Sequence, residues 1–414
     1  MKKLFAPLSL AAAGLALVSC QTQPAPVAPS KLADDVKPAA AKSAAPTDLE
    51  QLAQRLVTQS AGVKEGEVVL ISSGPENMEL LEDIAVQVRK AGAFPLITVG
   101  SDRLSKRLYT DVPEKYDAQT DQLDLKLAEI ADVSINVGRG VAEGLFADAD
   151  PKRLEARSRA NEPVVEAYLK NGVRSVDVDN GLYPQEWLAK RYGMTADDLA
   201  KTFWGGVNVD YTDLQKRGSE VSAALSSGKE IHVTDANGTD LKVRVEGRPY
   251  GVSDGIITAE DVKKGAAGLS VYLPAGEVYT TPVPGTAEGK LVVKKDYYQG
   301  SEINDLTLTF AAGKLTSITG SGKGFELLKA RYDAAGGGKD LFAFVDFGIN
   351  PYVKLPANSP VATWVPAGTV TLGIGNNVWA GGDNKTPFGY NVSMPGTTVT
   401  LDGKPVVEAG QLKL

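Results

Sequence analysis

The chain has 414 residues, of which 43% are hydrophobic and 23% charged, with a formal net charge of −7, one cysteine and one histidine. That length calls for more than one compact domain. The single cysteine excludes an internal disulfide or a thiolate metal cluster, and an acidic chain without lysine/arginine clusters excludes nucleic acid as a partner.

The first segment, "MKKLFAPLSLAAAGLALVSC", joins a basic start (Lys2, Lys3) to an apolar run ending in Leu17-Val18-Ser19-Cys20. Residues 1–19 read as a lipoprotein signal peptide, and Cys20 as the lipidated first residue of the mature chain. The apolar run is too short for a membrane-spanning helix. Cleavage would remove Lys2 and Lys3 and take the charge from −7 to −9, so the lipid, not a basic patch, is expected to hold the membrane. Gln21 stands where an aspartate would favour the inner membrane, which points to the outer membrane of a bacterial envelope, facing the periplasm. Residues 20–48, rich in Ala and Pro, cannot bury a core and read as a disordered tether after the lipidated cysteine.

Residues 49–228 read as an α/β domain with an open, largely parallel sheet. "EVVLISSG" and "FPLITVG" are strands flanking a helix that spaces Leu80, Leu81, Ile84 and Val88 at helical intervals. Strand, helix, strand makes a βαβ unit, and "VSINVG" and "VRSVDVD" continue the pattern. Helices are expected over "LEARSRANEPVVEAYLKNG" and "TADDLAKTFWGGVNVDYTDLQKRGSEVSAALSSG". After Lys229 the period becomes two: "EIHVTDANGTDLKVRVEGR" alternates across an Asn-Gly turn, a hairpin signal. Short glycine-bounded strands then run to the end, interrupted by one helix at "KGFELLKARYDAAGG". Residues 229–414 therefore read as a β-rich α+β domain.

Few residues suggest chemistry by themselves. Gly138, Gly140 and Gly144 follow a strand as a phosphate loop would, but the spacing is not that of a dinucleotide site, so an ordinary loop is favoured. His232 lies on a strand without a second histidine or a nucleophile elbow, so it reads as a packed or half-exposed residue. "LPAGEVYTTP" is more distinctive, because it fixes the carboxylate of Glu277 at the start of a strand. Taken with "GTDLKVRVEGRPYGVSDG", it resembles the thermophilic aminopeptidase family (aminopeptidase T and aminopeptidase S). "GVKEGEVVLISS", "YPQEW", "GMTADDLAKTF", "FGINP" and "LDGK" extend the resemblance over Leu49 to Leu414.

The resemblance implies an α/β amino-terminal domain and a β-rich carboxy-terminal domain, pairing as a homodimer, and removal of amino-terminal residues from peptides by two divalent metals such as zinc or cobalt. Such a pair, about 4 Å apart, needs a bridging carboxylate, further carboxylates and imidazoles. Carried over position by position, the first family ligand is Glu277. The next, a glutamate, falls on Phe344. A histidine falls on Thr371 in "GTVTLGIG", and a histidine and an aspartate fall on Gly389 and Asn391. One ligand of five remains. Asp346, Asp383 and Asn391 are the neighbours that offer substitute donor atoms, and Asp346 should share the strand face of Phe344. The favoured expectation is a non-catalytic, lipid-anchored relative that needs no metal cofactor and binds peptides or envelope components. The alternative is an active metal-dependent aminopeptidase with an atypical metal site.

Overall fold

A computed structural model describes residues 48–146 and 148–414. The expected signal peptide, Cys20 and the tether up to residue 47 lie outside the described residues. Those described form two compact units: residues 48–185 together with Ile256–Leu273, and Glu186–Gly255 together with Pro274–Leu414.

In the first unit α1 (Leu49–Arg55) starts on Asp48, whose carboxylate accepts from the Gln51 N–H. The expected βαβ unit follows as β1 (Val68–Ser73), α2 (Met78–Lys90) and β2 (Phe94–Val99). α2 buries Leu80, Leu81, Ile84 and Val88, the stripe that the spacing selects. Gly92, at φ 79°, takes the left-handed turn beyond its end. α3 (Asp102–Thr110) and α4 (Gln122–Ile130) lead to β3 (Val133–Val137), and α5 (Pro151–Lys170) to β4 (Arg174–Val178). The side chains of Ser101, Asp121 and Asp150 cap α3, α4 and α5 by accepting free first-turn N–H groups.

The second unit opens with α6 (Glu186–Tyr192), α7 (Ala196–Val207) and α8 (Tyr211–Ser226). The expected long helical run is thus broken: Asn208 leaves the helical region at ψ 53°, and Asp210 caps α8 through the Thr212 N–H. β5 (Glu230–Thr234) and β6 (Asp240–Arg244) form the expected antiparallel hairpin, and β7 (Tyr250–Ser253) follows. The chain then returns to the first unit through α9 (Ala259–Lys264) and β8 (Ser270–Leu273). β8 pairs parallel to β4 and completes a five-stranded sheet of order β2-β1-β3-β4-β8, parallel throughout.

Back in the second unit come β9 (Glu277–Thr280), β10 (Glu288–Tyr298), β11 (Ser301–Ala311), β12 (Lys314–Ser321) and α10 (Lys323–Ala334). They are followed by β13 (Phe342–Gly348), β14 (Val370–Gly375), β15 (Gly389–Met394), β16 (Thr398–Leu401), β17 (Lys404–Glu408) and β18 (Gln411–Leu412). One sheet has the order β12-β11-β10-β6-β5-β16-β17-β18 and the other β15-β14-β13-β9-β7. The α/β plus β-rich architecture is the one the sequence leads to, but the unit boundary is not at 228/229. The change of hydrophobic period marks a change of element type. Packing partner is a separate matter: α8 lies so close to the second unit's sheet that a Cβ on Gly218 would run into Val252.

The sheet of order β15-β14-β13-β9-β7 positions the candidate site. On one face Val278, Thr280, Val345, Phe347, Val370, Leu372, Val392 and Met394 are all at most 2% exposed. Period two sends the alternate residues to the other face. No helix among the described residues is long and apolar enough to cross a membrane.

Candidate functional site

Cross-strand pairing decides which side chains share that second face, because directly opposed residues on antiparallel strands point the same way. Glu277 of β9 stands opposite Ser253 of β7 and Gly348 of β13. One step along, Gly251, Tyr279, Asp346, Thr371 and Ser393 form a continuous row across all five strands. In the next row Phe344, Gly373 and Asn391 are aligned, and Gly389 lies beyond them opposite Gly375. Glu277, Phe344, Thr371, Gly389 and Asn391 therefore occupy a single face of one sheet.

They do not all meet. β15 is three strands from β9, roughly 14 Å at the usual inter-strand spacing, and Gly389 and Asn391 are exposed on that edge strand. A side chain at Gly389 would project into open space. The carboxylate brought beside Glu277 is that of Asp346, diagonal to it across the strand pair. Asp346 is 4% exposed and its Oδ1 has no hydrogen-bond partner. Burial pushes its carboxyl well above the usual carboxylate range, and the neighbouring Glu277 pushes it the same way.

Where the resemblance places a glutamate, Phe344 is 7% exposed and lies over Gly373, where a Cβ would overlap its ring. The ring also meets Trp379 at 4.9 Å between centroids and 76° between planes. Trp379 in turn sits 5.0 Å from Tyr279. Ala343, Phe344 and Ala380 form a buried cluster with Tyr279 packed against it. Thr371, 1% exposed, shares a 2.8 Å hydrogen bond between its Oγ1 and Ser393 Oγ. Each hydroxyl is thus engaged by the other.

Tyr279, Ser393 and Trp379 escaped the sequence reading. Tyr279 and Ser393 carry a weak signal, since each follows a singled-out residue by two positions on a strand. Trp379 has none, because a turn delivers it to the face.

The pair of divalent metals implied by the resemblance does not fit these residues. Two carboxylates, two mutually bonded hydroxyls and an aromatic ring cannot supply the anionic and imidazole donors that two dications demand. The one histidine lies in the other sheet, where His232 Nε2 is 2.7 Å from Asp240 Oδ1. Among the described residues no group of three or more His, Cys, Asp or Glu is arranged to hold a metal ion.

The glycine loop after β3 is also accounted for. Its Gly140, Val141 and Ala142 N–H groups donate to Glu76, Gln185 and Asp102. Donors already given to the protein's own acceptors, two of them carboxylates, do not cradle phosphate.

No curated protein matches the chain. Its fold is similar to that of wild-type AmpT from Thermus thermophilus, with 17% identity and a TM-score of 0.67 over 88% of this chain and 99% of that one. It is also similar to 2,5-dihydroxypyridine dioxygenase from Pseudomonas putida KT2440, with 18% identity and a TM-score of 0.51 over 89% of this chain and 98% of that one. At such identities the likeness is one of fold alone. The model of the family described as thermophilic metalloprotease (M29) matches residues 46–346, a stretch holding Glu277, Phe344 and Asp346 and ending before Thr371, Gly389 and Asn391. With most of its length matched, the chain belongs to the thermophilic metalloprotease (M29) family.

Proposed function

We propose that this member of the family is a lipid-anchored, non-catalytic aminopeptidase-like protein that uses its former metal face to bind a ligand. The observation that supports this most directly is the donor set around Glu277. Among the described residues Asp346 is a carboxylate brought beside it, no group of three or more His, Cys, Asp or Glu is arranged to hold a metal ion, and Phe344 fills the adjoining space with apolar contacts. Family membership alone does not require the peptidase reaction, because one fold carries many chemistries; the two similar structures are described as AmpT and as a dioxygenase.

In this reading Cys20 carries the lipid and the folded units face the periplasm from the outer membrane. The ligands are peptides or envelope fragments that reach the Glu277 face. Two measurements test it. Purified protein supplied with zinc, cobalt or manganese should retain no stoichiometric metal and release no product from aminoacyl-anilides. Metal-dependent release that collapses in Glu277→Ala would instead establish a working exopeptidase with an unusual ligand set.

A further inference from the structure

The Asn-Gly turn between β5 and β6 has a chemistry of its own. In an Asn-Gly step the glycine nitrogen can attack the asparagine side-chain carbonyl, since glycine carries no Cβ to crowd the approach or restrict the backbone. The sequence contains three such steps, Asn171-Gly172, Asn180-Gly181 and Asn237-Gly238. Local sequence makes them alike. The folded chain does not.

Two of the steps are tied down. Asn171, at the end of α5, donates from Nδ2 to the Ala128 carbonyl at 2.7 Å, and the Gly172 N–H donates to the Leu169 carbonyl at 3.2 Å. Both reacting groups are thus anchored. The Gly181 N–H donates to the Asp179 carboxylate at 3.1 Å, and Asn180 is held at φ 43°. A carboxylate holds such a proton more firmly than a carbonyl does. Asn237 and Gly238 differ. Both are exposed, and the Asn237 carboxamide has no hydrogen-bond partner among the described residues. The Gly238 N–H lies 3.4 Å from the Asp235 carbonyl oxygen, longer than an ordinary bond of this kind. Gly238, at φ 103°, has open space where a Cβ would stand.

We propose that Asn237 is a site of spontaneous deamidation. Solvent takes the Gly238 N–H proton, and the nitrogen attacks Cγ of Asn237. The new C–N bond closes a cyclic imide as the Cγ–Nδ2 bond breaks, and the amide nitrogen takes up a proton and leaves as ammonia. Water then opens the imide at either carbonyl, leaving aspartate or isoaspartate, with no oxidant or cofactor required. The new carboxylate adds charge beside Asp235, whose Oδ1 accepts from the Asn237 and Thr239 N–H groups at 2.7 and 3.0 Å. Isoaspartate also adds a methylene to the main chain of the turn. Thr239 Oγ1 accepts from the Val292 N–H of β10 at 3.0 Å, so the distortion reaches the neighbouring strand.

Incubation of the full chain in mildly alkaline buffer, followed by peptide mapping and enzymatic methylation of isoaspartate, tests it. The peptide containing Asn237 should gain the mass difference between an amide and an acid and take up methyl label. It should convert several-fold faster than the peptides containing Asn171 or Asn180. In urea the three should convert at similar rates, because unfolding removes the bonds that distinguish them. Asn237→Gln should lose the early mass gain and the label, since the longer side chain closes its ring far more slowly. Conversion at Asn171 or Asn180 as fast as at Asn237 in the folded chain would overturn the proposal. So would an intact Asn237 after a synthetic peptide of the same turn has fully converted.

Discussion

Asp177 on β4 offers a quantitative test of the buried polar network in the parallel sheet. Its carboxylate accepts from Ser175 Oγ at 2.8 Å and from Asn136 Nδ2 at 3.0 Å. Asn136 Oδ1 in turn accepts from Ser72 Oγ at 2.8 Å and Ser134 Oγ at 3.1 Å. These bonds favour the ionised carboxylate, but burial outweighs them and pushes Asp177 up to about 6. The native state therefore holds this proton more tightly than the unfolded chain does. The stabilisation is fully present below the unfolded value near 4 and is lost as pH rises through about 6. At about 1.4 kcal/mol per pKa unit the difference amounts to roughly 3 kcal/mol. In Asp177→Asn the amide keeps the shape, accepts from Asn136 and donates to Ser175, but cannot ionise. Urea unfolding of wild type and variant between pH 4 and 7 isolates the effect, because other titrating groups cancel in the difference. The variant should gain on wild type by about that amount as pH rises across this window. A difference that stays flat, or that moves in favour of wild type, would refute the assignment of burial as the dominant force on Asp177.

Four other outcomes are expected. Phe344→Ala should cost about 3–5 kcal/mol in urea unfolding, as for other large-to-small core substitutions. Gly373→Ala should cost about 1–3 kcal/mol through overlap with the Phe344 ring, and most of that cost should vanish in the double variant, where the ring is gone. Asp117→Ala should destabilise by about 3–5 kcal/mol, because it removes the shared partner of Arg153 and Arg157, at 3.0 and 2.9 Å, from a site where Asp117 is 4% exposed; a loss below about 1 kcal/mol would mean the pair behaves as a surface contact. Cys20→Ser should move the protein from the membrane fraction to the soluble fraction and abolish fatty-acid labelling, and unchanged partition would rule out the lipid anchor.

Much of this chain could be read without its structure. The strands at Val68–Ser73, Phe94–Val99, Val133–Val137 and Arg174–Val178 follow from short apolar runs beside helices, since crossover chirality leaves parallel pairing as the outcome. The Asn237-Gly238 turn fixes the β5–β6 hairpin in the same local way. Glu277, and the common face of Phe344 and Asp346, needed only a motif and the two-residue period of a strand. Other features depend on segments distant in sequence. β8 is four residues long, and nothing in "SVYL" reveals that it leaves the β-rich unit to pair with β4. Glu277 and Asp346 lie on strands separated by β10, β11, β12 and α10; register alone sets them diagonally across one pair, and only the surrounding burial leaves Asp346 Oδ1 without a partner. Trp379 reaches Tyr279 and Phe344 from a turn, where no periodicity predicts direction. Local propensity and patterning determined the elements, while the absence of metal donors at Phe344, Thr371, Gly389 and Asn391 is what the family resemblance implies. Strand register and burial, which arise between distant segments, decided which surviving groups stand together.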